Sequence, residues 1–403
     1  MFLINPHPDH NAPLLPADAG VLGVAGAHEV RHFLEFRENA AATPLVRLQT
    51  LADALGVETI HVKDEGQRLG LGSFKALGGA YAVIRLVLEE AARHFECDVG
   101  FADLDRSSVR AVAAKMTFAC ATDGNHGRSV AQGAQLVGAR SVIFVHAGVS
   151  DERVAAIARF GAEMIRVHGT YDETVAEAAR VAELEGWSIV SDTSWPGYER
   201  IPGLVMQGYT AIAHEALSQL DRPPTHVFVQ AGVGGIAAAL AGHFAETLGS
   251  DRPIFVVVEP ARAACILETA RIGRVTRIEH GEPTVMAMLE CYEPSLVAWR
   301  VLSRVADAFM AVGEEDAIAA MKRLARPAGH DPAIVSGESG CVGLAGLTRV
   351  LAEPDLKAAL KLDASSRILL VNTEGATDPG LYELLVGLSP AEVAGGKKEG
   401  TPA

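Results

Sequence analysis

The sequence predicts an α/β protein of two domains, each with a twisted, mostly parallel sheet flanked by helices. Three observations carry that expectation. Short, continuous runs of β-branched and apolar residues alternate with helical segments, the pattern of strands buried on both faces. Glycine-bearing loops sit where those runs pass into helices. A chain of 403 residues, 49% of them hydrophobic, is long enough for two ordinary domains with sizeable cores.

In chain order, the stretch through about Asn39 reads as an irregular arm. Residues 57–63 (VETIHVK) read as a strand, and a helix is expected from Ser73 onward, just after Gly70-Leu71-Gly72. Residues 98–112 are acidic and mixed and read as a surface insertion. Residues 116–120 (MTFAC) form a short buried strand, followed by a loop over 122–127 and a helix rich in Ala and Gln. Residues 141–145 and 162–167 are strands on either side of another helix. Residues 170–186 are helical, with Asp172 and Glu173 in the first turn, where the helix dipole favours acids.

The second half repeats the logic without a tandem repeat. A strand at 226–230 leads into the loop Gly232-Val233-Gly234-Gly235, a helix follows from Ile236 to about Leu248, and 253–258 (PIFVVV) is the next strand. A late strand, 368–371, ends in Asn372-Thr373, and residues 394–403 read as a disordered tail. The expected division is a larger domain from residues 1–85 and 203–393, a smaller one from 86–202, and the tail. In open α/β sheets ligands bind beyond the carboxyl ends of strands. The loops at Lys75, Asn125, Gly232 and Asn372 occupy such positions.

The formal charge of −15 disfavours a nucleic-acid or membrane-surface binder, since both need a basic face, but leaves room for a local basic pocket. The first twenty residues lack a basic start followed by an apolar run, and no apolar stretch approaches the roughly 20 residues that span a bilayer. A soluble, cytoplasmic protein is the expectation. Five scattered cysteines without CxxC spacing argue against a disulfide framework or structural zinc. Cys265 and Cys291 flank one segment and either pair or stay as buried thiols. The histidines, His7 and His10 included, show no metal-ligand spacing, so no metal is expected.

The loop after residues 226–230 has two readings. Glycines before a helix let backbone N–H groups approach a phosphate, aided by the helix N-terminus; the plain alternative is a tight turn. Gly232, Gly234 and Ala237 also fit the loose dinucleotide pattern, with Glu259 near the place of a ribose-binding acid, so a nicotinamide oxidoreductase stays open. Lys75 is likewise ambiguous alone. A lysine in a helix's first turn opposes the dipole, and enclosure disfavours its ammonium, both promoting the nucleophilic amine. A surface lysine is the bland alternative, and Lys63 shares the ambiguity.

Neighbours change that balance. Ser73-Phe74-Lys75, then Gly124-Asn125-His126-Gly127, then the glycine loop occur in order, each at a strand-to-helix junction. The combination resembles the fold type II, tryptophan-synthase-β-like, pyridoxal-phosphate enzymes. The resemblance implies that Lys75 holds the cofactor as a Schiff base, Phe74 lies against the pyridine ring and Asn125 bonds the phenolic oxygen. Gly232, Val233, Gly234, Gly235 and Ile236 would then hold the phosphate. Together the three motifs are specific; each alone is weak.

A narrower resemblance covers residues 30–385. Lys63-Asp64-Glu65, Ala121-Thr122-Asp123 before the GNHG loop and Ser336-Gly337-Glu338-Ser339-Gly340 carry it, with Asn372-Thr373-Glu374-Gly375 and the run from Val258-Glu259-Pro260 to Glu293-Pro294-Ser295. All are similar to the diaminopropionate ammonia-lyase family. It implies elimination of 2,3-diaminopropionate to pyruvate and ammonia, a small amino-acid substrate, and a homodimer. Lys75 and Asp123 would each take the α-proton of one enantiomer, since a base on one face reaches one hydrogen only. The alternative for Asp123 is a helix cap. Ser73, Thr122 and Glu338 are the other substrate-side candidates.

The chain also departs from that family. At the pyridine nitrogen relatives usually place a serine or threonine; here Asn372 stands at that position, with Thr373 beside it. Met288, Glu290 and Tyr292 replace small residues, so a different substrate follows if they line the pocket. His126 reads as structural. A dehydratase for a 3-hydroxy amino acid, a nicotinamide enzyme and a non-catalytic amino-acid binder remain the alternatives.

Overall fold

A computed structural model describes residues 1–38, 40–122, 124–169 and 171–395. Among the described residues there are eleven strands: β1 (Phe2–Ile4), β2 (Leu45–Arg47), β3 (Thr59–Asp64), β4 (Thr117–Ala121), β5 (Arg140–His146), β6 (Glu163–Val167), β7 (Ser188–Ile189), β8 (His226–Gln230), β9 (Ile254–Pro260), β10 (Ala308–Val312) and β11 (Arg367–Asn372). They form a seven-stranded sheet of order β1-β10-β9-β8-β11-β3-β2 and a four-stranded sheet of order β6-β5-β4-β7. The small sheet is parallel throughout. In the large one only the edge strands β1 and β2 run antiparallel to their neighbours. Every residue of β8 and β10 is buried, as expected of strands covered on both faces.

The helix Lys75–Phe95 packs against the helices Asn125–Val137 and Arg200–Gln219. Its Gly-Gly-Ala sequence permits close approach to the helix Asn125–Val137. A Cβ on Gly133 would lie 2.7 Å from the Ala80 Cα, and one on Gly79 would lie 2.9 Å from the Ser129 Oγ. That hydroxyl accepts the Ala80 N–H at 2.9 Å and donates to the Ala76 carbonyl at 3.2 Å. Two helices are thereby locked together behind Lys75 and Asn125.

Three expectations need correction. The first 38 residues are not an irregular arm: they hold β1 and the helices Pro16–Leu22 and Val24–Glu35. Ala27, Val30 and Leu34 recur at helical spacing and are buried with Phe33, a stripe hidden among charged and histidine residues. Residues 98–112 are not a mere surface insertion, since the helix Ser107–Ala113 buries Val109, Val112 and Ala113. At the other end Ala394 closes the helix Pro390–Ala394, stapled at its start by a reciprocal Ser389–Glu392 capping box. Residues 396–403 lie outside the described residues. Among the described residues no helix is long and apolar enough to cross a membrane, and no cluster of ligating side chains fits a metal.

Candidate active site

The loops after β3, β4, β8 and β11 converge. The backbone leaving β11 is the hub: the Thr373 carbonyl accepts the Phe74 N–H at 2.9 Å, the Glu374 carbonyl accepts the Gly337 N–H at 3.0 Å, and the Gly375 N–H donates to the Gly72 carbonyl at 3.0 Å. Ser73 and Glu374 form an antiparallel bridge. The lysine loop and the 336–340 loop are thus laid against one segment.

Lys75 opens its helix, with Phe74 at the N-cap. Its Nζ donates to Asp192 Oδ2 at 2.5 Å, and the two side chains are 22% and 17% exposed. Asp192 follows β7 of the small sheet, so this ion pair crosses between the sheets. Burial pushes the Asp192 carboxyl up, but the Lys75 ammonium, His126 and the hydrogen bond outweigh it and hold the acid well below its usual range. Phe74 packs edge-on against Tyr209, with ring centroids 4.8 Å apart.

Asn125 begins its helix and donates from Nδ2 to Glu374 Oε2 at 2.9 Å. Thr122 Oγ1 accepts the N–H groups of Gly124 at 3.1 Å and Gly127 at 3.2 Å, which shapes the turn and leaves the hydroxyl proton to donate elsewhere. Asp123 lies outside the described residues. His126 is buried and its Nε2 meets the Val190 carbonyl at 2.8 Å, a structural bond.

The turn after β8 leads into the helix Gly235–Leu248, with Gly234 at φ +99°, a conformation that favours glycine. A Cβ on Gly232 would lie 2.9 Å from Cys291 Sγ, so a side chain there would have to push the Cys291 thiol aside. Val233 is held through its carbonyl, which accepts the Ser295 N–H at 2.9 Å, and Ile236 is buried in the first turn. The result is a bare backbone turn at a helix N-terminus, able to present N–H groups to an anion.

Asn372 and Thr373 part company in this structure. Asn372 Nδ2 donates to Asp64 Oδ1 at 2.7 Å and to the Val335 carbonyl at 3.1 Å. Thr373 Oγ1 accepts from Gln230 Nε2 at 2.8 Å, a residue at the end of β8 that also bonds the Gly340 and Val371 carbonyls at 2.7 and 3.0 Å. The Thr373 hydroxyl therefore has its proton to give. Ser73 Oγ, Asn372 Oδ1, Glu338 Oε1 and Glu374 Oε1 are buried and make no hydrogen bond among the described residues.

Other residues singled out in the sequence find different work. Both Glu259 oxygens accept backbone N–H groups, from Ile266 at 2.8 Å and Leu267 at 2.7 Å, so this acid caps the helix Cys265–Ile272. Burial pushes its carboxyl up to about 8. It is not placed to hold a ribose, and the dinucleotide pattern loses its acid. Lys63 is fully buried and donates to Glu215 Oε2 at 2.6 Å, far from a cofactor role. Glu290 accepts from the Thr284 N–H at 3.1 Å and the Tyr292 hydroxyl at 2.7 Å, tying its own segment together. The Met288 N–H donates to Ser339 Oγ at 3.2 Å, which lays that segment on the 336–340 loop. Cys265 and Cys291 do not form a disulfide.

Sequence reasoning missed Asp192, Gln230 and the role of Glu374. For Asp192 a faint signal exists: Ser191-Asp192-Thr193-Ser194 follows a short apolar run, the same strand-end polarity that marks the other loops.

Comparisons with known proteins agree with this geometry. Residues 37–374 match the family described as pyridoxal-phosphate dependent enzymes. Diaminopropionate ammonia-lyase of Escherichia coli strain K12 is 40% identical over 350 residues, 85% of this chain and 87% of that one. The crystal structure of the Escherichia coli enzyme in complex with an aminoacrylate-PLP azomethine reaction intermediate superposes with a TM-score of 0.85 at 36% identity, covering 96% of both chains. Its complex with D-serine gives the same score at 37% identity and the same coverage. This chain belongs to the pyridoxal-phosphate-dependent enzymes and, within them, to the diaminopropionate ammonia-lyase family.

Proposed function

We propose that the protein eliminates 2,3-diaminopropionate, of D or L configuration or both, to pyruvate and ammonia with pyridoxal 5'-phosphate as cofactor. The observation that carries the reading is the placement of Lys75 at a helix start where the loops after β3, β4, β8 and β11 meet. The described residues fit that cofactor. Lys75 supplies the amine for its aldehyde and Phe74 an aromatic wall. Asn125 is a donor for the phenolic oxygen, and Gly232, Val233, Gly234, Gly235 and Ile236 form the bare turn for the phosphate. Of the two residues beside the ring nitrogen, Thr373 fits better than Asn372, whose amide is taken by Asp64 and Val335. Because Gln230 donates to the Thr373 oxygen, that hydroxyl donates in turn, and a ring nitrogen facing it accepts.

When bound, the cofactor supplies an electron sink for the pair left at the substrate α-carbon. Lys75 Nζ takes the α-proton of one enantiomer, and Asp123, two residues before Asn125, takes that of the other. The hydroxyls of Ser73 and Thr122 serve the substrate carboxylate, and Glu338 serves the wall of the pocket. Asp192 holds the Lys75 ammonium in place until the cofactor arrives. A larger domain from residues 1–85 and 203–393, a smaller one from 86–202, a homodimer and a cytoplasmic location complete the proposal.

A second reading, action on a 3-hydroxy amino acid, is favoured by the D-serine complex of the Escherichia coli relative. A pyruvate assay across D- and L-2,3-diaminopropionate, serine and threonine separates the two. Preference for diaminopropionate is expected. Lys75→Ala is expected to remove both pyruvate formation and the visible absorbance of the purified protein. A variant that kept that absorbance would disprove the lysine assignment.

A further inference from the structure

Two buried acids, Glu338 and Glu374, lie on segments that meet at the hub of the site. Glu374 is 2% and Glu338 1% exposed. Glu374 sits on the segment bridged to Ser73, and its Oε2 accepts from Asn125, so it lies between the lysine loop and the GNHG loop. A Cβ on Gly337 would be 3.3 Å from both Glu374 Cγ and Oε1, which places the carboxyl over the backbone just before Glu338. One oxygen of each acid makes no hydrogen bond among the described residues.

The charged groups facing the pair do not neutralise it. Arg153 of the small domain side and Lys75 act on Glu374 at a distance, Arg153 and Asp378 act on Glu338, and the nearby Cys341 thiol is buried. Neither acid has a salt-bridge partner among the described residues within 4.0 Å. Two like charges in such a place repel, and ionising both is costly. Burial first, then Glu338, pushes Glu374 up to about 8, against the Asn125 bond, Arg153 and Lys75; burial also raises Glu338.

We propose that Glu338 and Glu374 hold one proton between them, and that the single negative charge of the pair selects a substrate with a second, cationic amino group over one with a hydroxyl. The inference rests on the elimination reading above and deepens it. Diaminopropionate and serine differ at the β-carbon by an ammonium against a hydroxyl, so a wall of charge −1 helps only the first. Each Glu→Gln change alone leaves the other carboxyl able to ionise, which keeps that charge. Only the double change removes it.

The test compares kcat/KM for diaminopropionate and for serine of the same configuration in wild type, Glu338→Gln, Glu374→Gln and the double variant. The ratio is expected to fall roughly a hundredfold in the double variant and less than about tenfold in either single one. Loss of both substrates in step, or a single change as damaging to the ratio as the double, overturns the proposal. Infrared spectra of the cofactor-free proteins at neutral pH test the shared proton without turnover. In wild-type-minus-variant difference spectra, which cancel the buried Glu259 carboxyl, a protonated-carboxyl stretch is expected against each single variant; its absence from both differences overturns the shared proton. Wild type that makes no pyruvate from diaminopropionate, yet shows the band, sinks the elimination reading and the selectivity with it while leaving the shared proton standing.

Discussion

Lys75 and Asp192 meet at 2.5 Å across 117 residues of sequence, and that contact defines the residue scale of the site. A lysine ammonium in the first turn of a helix is opposed by the dipole, and a carboxylate beside it offsets that opposition. Asp123 is the other acid that the proposed reaction calls on. If it and Lys75 serve opposite faces of the substrate, Asp123→Asn is expected to slow one enantiomer of diaminopropionate by roughly a hundredfold or more and the other only a few-fold. Pyruvate release from each enantiomer measures this, and equal losses would refute the two-base assignment. Lys75 and Asn125 were legible because short motifs at strand ends carry them. Asp192 was not, because nothing local to Ser191-Asp192-Thr193 points to a helix so distant in the chain.

At the scale of elements, the helix Gly235–Leu248 does two jobs. Its start frames the glycine turn, and further along it holds the N-terminal segment through His243, whose Nδ1 donates to the Leu22 carbonyl at 2.9 Å. Burial, helped by His214 and His28, holds the His243 ring down at about 4 from 6.5, despite that bond. A depressed histidine stabilises the fold fully above 6.5, and the contribution is lost as pH falls toward 4, by about 1.4 kcal/mol per pH unit. Urea unfolding at pH 7 and pH 5 is therefore expected to show wild type losing about 2 kcal/mol more than His243→Asn, which keeps a donor but cannot protonate. Matching losses in the two proteins would assign the effect elsewhere. The same contact explains why the arm was misread. Its helices are stabilised by packing against distant helices, and their apolar stripe is too interrupted by charge to declare itself in the sequence.

The whole molecule depends on joints between segments far apart in the chain. Arg68 makes bidentate bonds to Glu65, at 2.7 and 2.8 Å, and to Glu215, at 2.9 and 2.7 Å. Lys63 completes the cluster through Glu215, Gln219 and the Thr43 carbonyl. The cluster pins the turn between β3 and the lysine loop to the helix Arg200–Gln219. Removing one partner strands a buried charge, so Arg68→Met is expected to cost about 3–5 kcal/mol in unfolding free energy by urea titration. A cost below about 1 kcal/mol would show that the cluster relaxes into solvent. Such a cluster is invisible in sequence, where Lys63 shares the ambiguity of Lys75 and nothing local pairs Arg68 with Glu215.

The sequence by itself determined the α/β alternation, the strand ends that bear chemistry, and the family to which Lys75, Asn125 and the glycine turn belong. These are local properties: side-chain periodicity, backbone freedom and helix starts are set within a few residues. Tertiary structure decided which acids face which bases, that Thr373 rather than Asn372 has a proton to offer, and that Glu259 caps a helix. Burial and Coulomb energy depend on distance in space, and the chain brings residues together there that no spacing along it records.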